Sequence, residues 1–380
     1  MMKARVILWD MDGKGKKWLE ENIHSDRIEL VQIIPSYEKN VQLVNDDIDL
    51  LLIANEVIDR DILKMLECVG FGRDRVVFIY ALISWYEKFD LAAFLLKDKV
   101  GGMRRLIFWY HECGAKDYYS CKVENLTFIA SVKDRVIMPT MIRDGKVWSA
   151  DEMHLFYRLA HEYYVLRDDE PGYFLDLGAN IGTTSIYFRK KVDTNVEIVA
   201  FEPDDSNNKL LQINLLLNGL VGEAYVEAYG LSNRRENKVL YYDETNPGGT
   251  SLVRNSGGTT TEVPLISLDE YFAESGLDDA KIKYIWIDTE GFEPLVVGGA
   301  RNILKRRAIP LYMEFNPYLW NQQGLLQTMV DYLRESGYTD YILIQQYMEG
   351  KREVFPLDTL MAFKDVSQYF QQDIFLLKGK

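Results

Sequence analysis

The stretch from Tyr173 to Thr184, with the sequence YFLDLGANIGTT, constrains the fold of this chain more than any other part. It begins with an apolar run, Phe174 to Leu177, of the kind that forms a fully buried parallel strand. Glycines follow at positions 178 and 182, and apolar residues then return with helical spacing. The stretch therefore predicts a strand, a tight glycine turn and a helix, and the backbone of such a turn can approach a ligand closely.

The spacing of this turn separates two kinds of nucleotide site. A dinucleotide fingerprint reads G-x-G-x-x-G, whereas this chain reads Asp176-x-Gly178-x-x-x-Gly182, with a carboxylate in place of the first glycine. A carboxylate disfavours a pyrophosphate and favours a cation or an amine, and S-adenosylmethionine carries both a sulfonium and an α-amino group. The alternative is a turn that serves only the close packing of helix on strand.

A second acidic residue follows the next predicted strand. The run Val196 to Phe201 leads into Glu202-Pro203, and Glu202 lies twenty residues after Gly182. An acid at this point of a parallel sheet can accept hydrogen bonds from both hydroxyls of a ribose. A solvated loop acid is the alternative, but the turn, its spacing and the second acid together favour a bound nucleoside.

Length, charge and cysteine content limit the class of protein. At 380 residues the chain is longer than one hydrophobic core usually serves, so we expect two domains. A formal net charge of −14 disfavours nucleic acid as a partner. Three cysteines without a C-x-x-C pair favour a reducing compartment, and no apolar run is long enough for a membrane span. These features predict a cytoplasmic protein.

Residues 1–80 predict a smaller, Rossmann-like α/β domain, because short apolar strands alternate with helices there. Asp10 ends the first strand, and Asp12 lies in the glycine-containing turn that follows. These acids disfavour a pyrophosphate, so a docking or scaffolding role is favoured over dinucleotide binding. An oligomer formed through this domain is a further expectation.

Residues 81–149 form a connecting region in this prediction, and residues 150–380 form the second domain. A helix is expected over Ser84–Leu96, and a hairpin over Ile137–Trp148 with its turn at the Asp-Gly pair 144–145. The sequence from Ser149 to Glu152 predicts a capping box in front of a helix that runs to about residue 166.

The few histidines and cysteines give no strong site. His154 and His161 lie seven residues apart on one face of the predicted helix, where they either line the cofactor cleft or are structural. His111, Cys113 and Cys121 could in principle surround a metal ion, but buried thiols are the expectation.

Three further carboxylates lie at or just beyond the ends of predicted strands. Asp288 ends the strand at 284–288, Glu290 follows it, and Glu314 belongs to the strand at 310–315. Ligands bind at the carboxyl ends of such strands, so these acids are expected beside the glycine turn. Asp288 is the first choice for a base that takes the proton of a hydroxyl acceptor, and Glu290 would help to position that acceptor. A divalent cation held by the acids is the alternative.

Four motifs together resemble the FkbM-type S-adenosylmethionine-dependent methyltransferases. They are DLGANIG at 176–182, FEP at 201–203, the helix end with Asn214 and Asn218, and IDTEGFE at 287–293. The resemblance runs from about residue 150 to the C-terminus, and its last motif is the most specific. It implies the class I methyltransferase fold, an α/β, doubly wound sheet of seven strands with the last pair antiparallel, here preceded by the Rossmann-like domain.

The resemblance also implies roles for individual residues. It would place the methionine end of the cofactor against Asp176, Gly178, Ala179, Asn180 and Gly182. It would place the ribose on Glu202 and the adenine near Ser232 and Asn233. The expected catalytic residues, Asp288, Glu290 and Glu314, follow from their positions at the strand ends and not from the resemblance, and Glu293 is expected to cap the helix that starts at Pro294. No residue is assigned as a metal ligand. Thr289 stands where the family usually has Val, which we expect to be harmless.

The function that these observations favour is methyl transfer from S-adenosylmethionine to a hydroxyl of a sugar, a glycan or a related metabolite. An N-methyltransferase would differ only in its acceptor, and a non-catalytic cofactor-binding module would need no Asp288. A nicotinamide-dependent oxidoreductase is the most distant alternative, because it needs a turn that tolerates a pyrophosphate.

Overall fold

The computed structural model describes residues 4–11, 13–22, 28–35, 48–55, 60–68, 71–72, 75–80, 117–167, 169–243, 249–254, 258–370 and 372–379. The chain forms two compact units, Met1–Glu124 with Ser131–Lys146, and Asn125–Ala130 with Val147–Lys380. The helix predicted over Ser84–Leu96 lies outside the described residues, as do His111 and Cys113. Within the described ranges, no helix has both the length and the apolar character that crossing a bilayer requires.

The first unit contains a parallel sheet of four short, apolar strands. They are β1 (Ala4–Trp9), β2 (Ile28–Ile34), β3 (Leu50–Ile53) and β4 (Val76–Phe78), in the order β2-β1-β3-β4. The unit also contains α1 (Gly15–Asn22), α2 (Arg60–Cys68), β5 (Tyr118–Val123) and α3 (Ile137–Asp144). Strands β3 and β4 are buried throughout, as their continuous apolar sequences require.

The start of α1 is occupied by an acid of the chain itself. The carboxylate of Asp10 accepts hydrogen bonds from the backbone N–H groups of Gly15, at 2.7 Å, and Lys16, at 3.2 Å. Such N–H groups are the ones that bind a phosphate at the start of a helix. Because Asp10 already uses them, this turn is poorly suited to a dinucleotide.

The hairpin predicted over Ile137–Trp148 is wrong, because most of this segment is the helix α3. The carboxylate of Asp134 accepts hydrogen bonds from the N–H groups of residues 136, 137 and 138 and so starts the helix. Gly145 ends it in the left-handed conformation, with φ +66°, and donates its N–H to the carbonyl of Met141. The Asp-Gly pair is therefore a helix end, where glycine is also favoured.

The second unit is built on one large sheet and one small sheet. Its strands are β6 (Leu126–Ser131), β7 (Gly172–Leu177), β8 (Val196–Phe201), β9 (Ala224–Glu227), β10 (Gly230–Leu231), β11 (Glu236–Tyr241), β12 (Thr260–Ile266), β13 (Ile282–Ile287), β14 (Leu311–Phe315), β15 (Tyr338–Leu343), β16 (Phe355–Pro356) and β17 (Gln372–Lys378). The large sheet has the order β16-β15-β17-β14-β13-β7-β8-β9, and the small sheet has the order β10-β12-β11.

Strand β7 lies inside the large sheet, with β8 and β9 on one side and β13 and the remaining strands on the other. The chain thus winds outward from β7 in both directions, and the crevice between β8 and β13 opens at the carboxyl end of β7. Strand β17 is antiparallel to both β14 and β15. The predicted count of seven strands is too low, because the two-residue strand β16 pairs with the outer side of β15.

Helices pack on this sheet, and shorter helical turns extend some of them. The helices are α4 (Ala150–Tyr163), α5 (Thr183–Tyr187), α6 (Asp205–Leu217), α7 (Leu268–Ser275), α8 (Glu293–Gly299), α9 (Arg301–Arg306), α10 (Pro317–Gln322), α11 (Leu326–Glu335) and α12 (Ile344–Met348). A π-helical turn, Phe188–Val192, continues α5, and 3₁₀ turns span Asp279–Lys281 and Leu357–Phe363.

Two local predictions about these helices need correction. The helix expected over residues 294–307 is two helices, because the carboxylate of Asp269 accepts hydrogen bonds from the N–H groups of Asn302, at 3.0 Å, and Ile303, at 2.9 Å, and so starts α9 separately. The capping box at Ser149 does not form. Ser149 has a φ of +54° and its side chain makes no cap hydrogen bond.

Helix α6 holds strand β6 through two asparagine side chains. The Asn214 side chain accepts a hydrogen bond from Ile129 N–H, at 2.7 Å, and donates to the carbonyls of Ile129 and Ile181. Asn218, one helical turn later, makes the same pair of hydrogen bonds with Thr127. The two amides thus pair with alternate residues of β6 as a neighbouring strand would, which gives this motif a structural explanation.

Replacing Asn214 by Ala is expected to destabilise the protein by about 2 kcal/mol, because buried backbone groups of Ile129 and Ile181 lose their partner. Urea unfolding measures the change. The control is Lys209→Ala in the same helix, which removes an exposed ion pair with Asp205. Equal stability of the two variants would contradict this account of the motif.

Candidate active site

A cavity opens at the carboxyl ends of β7, β8 and β13 in the second unit. Its polar lining includes Gly178, Asn180, Glu202, Asn207, Thr250, Asp288, Thr289 and Glu290. Its apolar lining includes Phe201, Pro203, Tyr229, Gly230, Leu231, Leu240, Leu252 and Phe292. A cavity in which polar groups converge between apolar walls has the character of a small-molecule site.

The glycine turn and the acidic loop touch each other at this cavity. Gly178 has a φ of +100°, and a Cβ atom at this position would lie 1.9 Å from the carbonyl oxygen of Asp288. The N–H groups of Gly178 and Ala179 both donate to the carbonyl of Phe201, which ties the turn to the end of β8. Only glycine therefore fits between the two strand ends.

Asn180 is a residue of this turn with an unusual backbone and an unused side-chain oxygen. Its φ is +49°, a left-handed conformation that Asn tolerates better than most residues. Its buried Oδ1 has no hydrogen-bond partner within the part of the chain that the structure describes. Because buried polar atoms are normally paired, this oxygen is suited to a hydrogen-bond donor on a ligand.

Glu202 is buried and held by the backbone on both sides. One carboxylate oxygen accepts the N–H of Asn180 and the other accepts the N–H of Asp204, each at 2.9 Å. Each oxygen still has a free lone pair, so the group can accept further hydrogen bonds from a ligand. Burial, with smaller contributions from the charges of Asp204 and Asp176, raises the pKa of Glu202 to about 8.

The free energy of unfolding is expected to fall as pH rises from about 5 to 8, and Glu202 accounts for part of the slope. Between its ordinary pKa of 4.5 and its folded pKa of about 8, Glu202 keeps a proton in the folded state that the unfolded chain has lost. This contribution is about 1 kcal/mol per pH unit. Urea unfolding at several pH values should give a shallower slope for Glu202→Gln than for the wild type. Equal slopes for the two proteins would contradict this contribution of Glu202.

Asp288 faces the cavity at the end of β13, where solvent reaches its side chain. Desolvation by the surrounding walls raises the pKa of Asp288 well above its ordinary value, and the nearby charge of Glu290 adds to this. A carboxylate with a raised pKa is a stronger base than one in water. In its deprotonated form it can therefore take a proton from a hydroxyl group.

Glu290 lies in the loop after β13, with a φ of +54°. Its carboxylate forms an ion pair with Arg254, and its carbonyl accepts a hydrogen bond from the Ser251 side chain at 2.9 Å. Burial raises the pKa of Glu290 to about 7, against the lowering effect of the Arg254 charge. Segment 249–254 thus lies beside the acidic loop, and Arg254 forms an ion pair with one acid of the predicted cluster.

Glu314 is close to the other acids but does not line the cavity. It belongs to β14 and is paired in register with Asp373 of β17. Burial raises its pKa well above the ordinary value, and the charges of Glu290, Glu293, Asp288 and Asp373 act in the same direction. Its Oε2 atom is buried and without a hydrogen-bond partner among the described residues.

Several residues predicted to bind the cofactor lie behind the cavity wall rather than in it. Asp176 accepts a hydrogen bond from the Ser185 side chain at 2.5 Å, and burial raises the pKa of Asp176 to about 6. Ala179 and Gly182 are not among the lining residues either. The Cβ that a side chain would add at Gly182 meets Leu211 at 2.3 Å, so this glycine serves helix packing.

Ser232 and Asn233, which were predicted to lie near the adenine, are not among the residues that line the cavity. The carbonyl of Ser232 lies 2.0 Å from where a Cβ would stand on Gly299, and Asn233 lines a separate surface depression. The cavity is lined instead by Tyr229, Gly230 and Leu231. The sequence could have indicated these three residues, because they follow β9 closely and therefore lie at the same edge of the sheet.

The two histidines of α4 contact tyrosines and are not among the residues that line the cavity. His154 Nε2 lies 3.3 Å from the Tyr187 hydroxyl, and His161 Nε2 lies 3.1 Å from the Tyr284 hydroxyl. Among the described residues, no group of three or more His, Cys, Asp and Glu side chains is arranged to hold a metal ion.

Comparisons with known proteins show that part of the chain is similar to one family. Residues 176–339 match the family model described as the methyltransferase FkbM domain. In a comparison with curated proteins, none matches the chain.

Similar solved structures include a methyltransferase FkbM from Methylobacillus flagellatus KT, with 14% identity, a TM-score of 0.35 and coverage of 98% of this chain and 90% of that chain. A precorrin-6y C5,15-methyltransferase from Geobacter metallireducens GS-15 has 13% identity, a TM-score of 0.33 and coverage of 62% and 89%. An O-methyltransferase from Thermotoga maritima has 11% identity, a TM-score of 0.33 and coverage of 69% and 78%. Similarity of this size does not identify an activity.

Proposed function

We propose, from the membership of residues 176–339 in the FkbM methyltransferase domain family, that this protein transfers the methyl group of S-adenosylmethionine to a hydroxyl of a sugar, a glycan or a related metabolite. The observation that carries the proposal is that Glu202 and Asp288 line the same cavity, beside a glycine turn that admits no side chain. A nucleoside-binding acid and a candidate base are thus close enough to serve one reaction.

The residues of the cavity fit the cofactor. The unpaired oxygen of Asn180 would accept a hydrogen bond from the amino group of the methionine moiety. The carboxylate of Glu202 would accept the ribose hydroxyls, and the apolar residues Tyr229, Leu231 and Phe292 would lie against the adenine. When bound, S-adenosylmethionine supplies an electrophilic methyl group on a positively charged sulfur.

The remaining task of the protein is to orient the acceptor and to remove its proton. Asp288 would take the proton of the acceptor hydroxyl while the oxygen–methyl bond forms and the carbon–sulfur bond breaks. The raised pKa of Asp288 suits this role. Glu290, fixed by Arg254 and Ser251, would position the acceptor.

The proposal is tested by a screen for methyl transfer. The full-length protein is incubated with S-adenosylmethionine labelled in the methyl group and with a panel of nucleotide sugars, oligosaccharides and matched amino sugars. Label on an oxygen would support the proposal, and label on a nitrogen would replace it with N-methylation. Binding of S-adenosylhomocysteine without transfer to any acceptor would favour a non-catalytic module. The position of Asp10 at the start of α1 weakens the oxidoreductase alternative.

Turnover is expected to be unchanged after treatment with a chelator. The physical reason is that Arg254 already neutralises Glu290, so the acids at Asp288 and Glu314 would have to hold a divalent cation without it. The measurement is transfer before and after EDTA treatment, followed by addition of Mg²⁺. A loss that Mg²⁺ restores would support the cation alternative.

Location and assembly remain predictions of this proposal. We expect a cytoplasmic protein whose first unit mediates docking or oligomerisation, and whose net charge of −14 disfavours nucleic acid as a partner.

A further inference from the structure

One buried carboxylate organises the loop that carries Asp288. Glu293, the first residue of α8, is completely buried. Its Oε1 atom accepts hydrogen bonds from Thr289 N–H, at 3.0 Å, from the Thr289 hydroxyl, at 2.9 Å, and from Gly291 N–H, at 3.1 Å. Its Oε2 atom accepts a hydrogen bond from Trp320 Nε1–H at 2.8 Å.

These four donors do not belong to a helix start of the usual kind. A cap satisfies the N–H groups of the helix that it begins, whereas three of the four hydrogen bonds of Glu293 go backward to the loop before α8. The expectation that Glu293 only caps the helix is therefore incomplete. Its carboxylate fixes the loop between β13 and α8 from inside the protein.

This loop needs such support because its backbone is strained. Glu290 and Gly291 both have positive φ values, +54° and +97°. For a non-glycine residue, this conformation costs free energy and persists only where the surroundings hold it. The same loop presents the Asp288 side chain to the cavity and its carbonyl to Gly178.

We propose that Glu293 is a positioning residue for methyl transfer, which holds Asp288 in its reactive place through the Thr289–Gly291 loop and is itself held by Trp320. The inference rests on the proposed function. Glu293 does not line the cavity, so it acts on the acceptor only through the residues that it orients.

The charge of Glu293 has a second effect that can be measured separately. Five acids, carried by three strands, by the loop and by α8, act electrostatically on Asp288 or respond to its charge, namely Asp176, Glu290, Glu293, Glu314 and Asp373. The negative charge of Glu293 raises the pKa of Asp288 further, so removal of that charge should lower the pKa of Asp288.

Two substitutions distinguish the effect of Glu293 on the position of Asp288 from the effect of its negative charge. Glu293→Gln removes the charge, and whichever way its amide is turned it loses either the loop donors or the Trp320 donor. Trp320→Phe keeps the charge but leaves Oε2 without a partner. We expect kcat to fall about tenfold in both variants, because a small displacement of a catalytic group is costly, while the affinity for S-adenosylhomocysteine changes much less.

The pH profile of kcat distinguishes the two variants. The acid limb should move to lower pH in Glu293→Gln and stay in place in Trp320→Phe. Glu274→Gln is the control, because Glu274 makes only an exposed ion pair with Arg235. An unchanged kcat, or an acid limb that does not move in Glu293→Gln, would overturn the inference.

Hydrogen exchange gives a readout that does not depend on turnover. The amides of Thr289 and Gly291 should exchange faster in Glu293→Gln, while the amides of β13 keep their protection. If the wild-type protein transfers no methyl group, the proposed function fails, whereas this measurement still decides the role of Glu293. Unchanged exchange in the loop, or faster exchange throughout the protein, would overturn the positioning role of Glu293.

Discussion

Replacing Asp288 by Asn is expected to lower kcat by about 10²–10⁴-fold while leaving the affinity for S-adenosylhomocysteine nearly unchanged. Asn has nearly the same shape and volume as Asp and differs from it by the loss of the ionisable carboxyl group. The fold and the contact with Gly178, which uses only the carbonyl of residue 288, should therefore survive. What is lost is the ability to accept the proton of the acceptor.

Transfer of labelled methyl at saturating cofactor measures this loss, and isothermal titration measures the retained binding. Asp331→Asn is the matched control, because Asp331 lies on α11, does not line the cavity and contacts the exposed side chains of Arg334 and Gln327. In the wild type, the raised pKa of Asp288 also predicts that kcat rises with pH, because the base must first lose its own proton. A variant with normal turnover would move the base to another residue.

Replacing Glu202 by Ala is expected to weaken the binding of S-adenosylhomocysteine about 10–100-fold, the equivalent of losing about two hydrogen bonds. Two effects add. The ribose hydroxyls lose their acceptor, and the N–H groups of Asn180 and Asp204 lose theirs, which loosens the glycine turn. Glu202→Gln keeps one acceptor oxygen and should therefore have a smaller effect.

Isothermal titration at pH 7 tests this prediction, and Glu197→Gln provides the control. Glu197 lies in the same strand, β8, but its side chain is exposed and does not line the cavity. Thermal unfolding of the free proteins shows whether the Ala variant is still folded. Equal affinity in the wild type and in a folded Glu202→Ala variant would remove the ribose role.

The meeting of the glycine turn with the acidic loop could be predicted from the sequence. Strands β7, β8 and β13 have predominantly apolar sequences, and their order follows from the way parallel strands wind outward from the first one. Gly178, Glu202 and Asp288 each follow or end such a strand, so the sheet brings them to one edge. The apolar runs of the sequence, together with the residues that end or follow them, therefore predict that the two loops meet.

Other parts of the site depend on contacts that no local pattern encodes. The small sheet of β10, β11 and β12 supplies Leu231 and Leu240 to the cavity, but β10 has only two residues and β11 alternates weakly. The ion pair of Arg254 with Glu290 joins segments that are distant in the chain and requires the backbone path of both. The Asp-Gly pair at 144–145 suits a hairpin and a helix end equally, and only Asp134 decides between them.

The pairing of Asn214 and Asn218 with β6 has a consequence for how the second unit could be isolated. The sequence suggests that an autonomous methyltransferase fragment begins near residue 150. However, Thr127 and Ile129 belong to the same unit as helix α6, whose asparagines hold them. In the chain, residues 131–146, which belong to the first unit, lie between these two residues and the rest of the second unit. A fragment cut at residue 150 would leave both asparagines without the strand that they recognise. The minimal unit is therefore discontinuous in sequence, and expressing it alone requires residues 125–130 to be joined back to it.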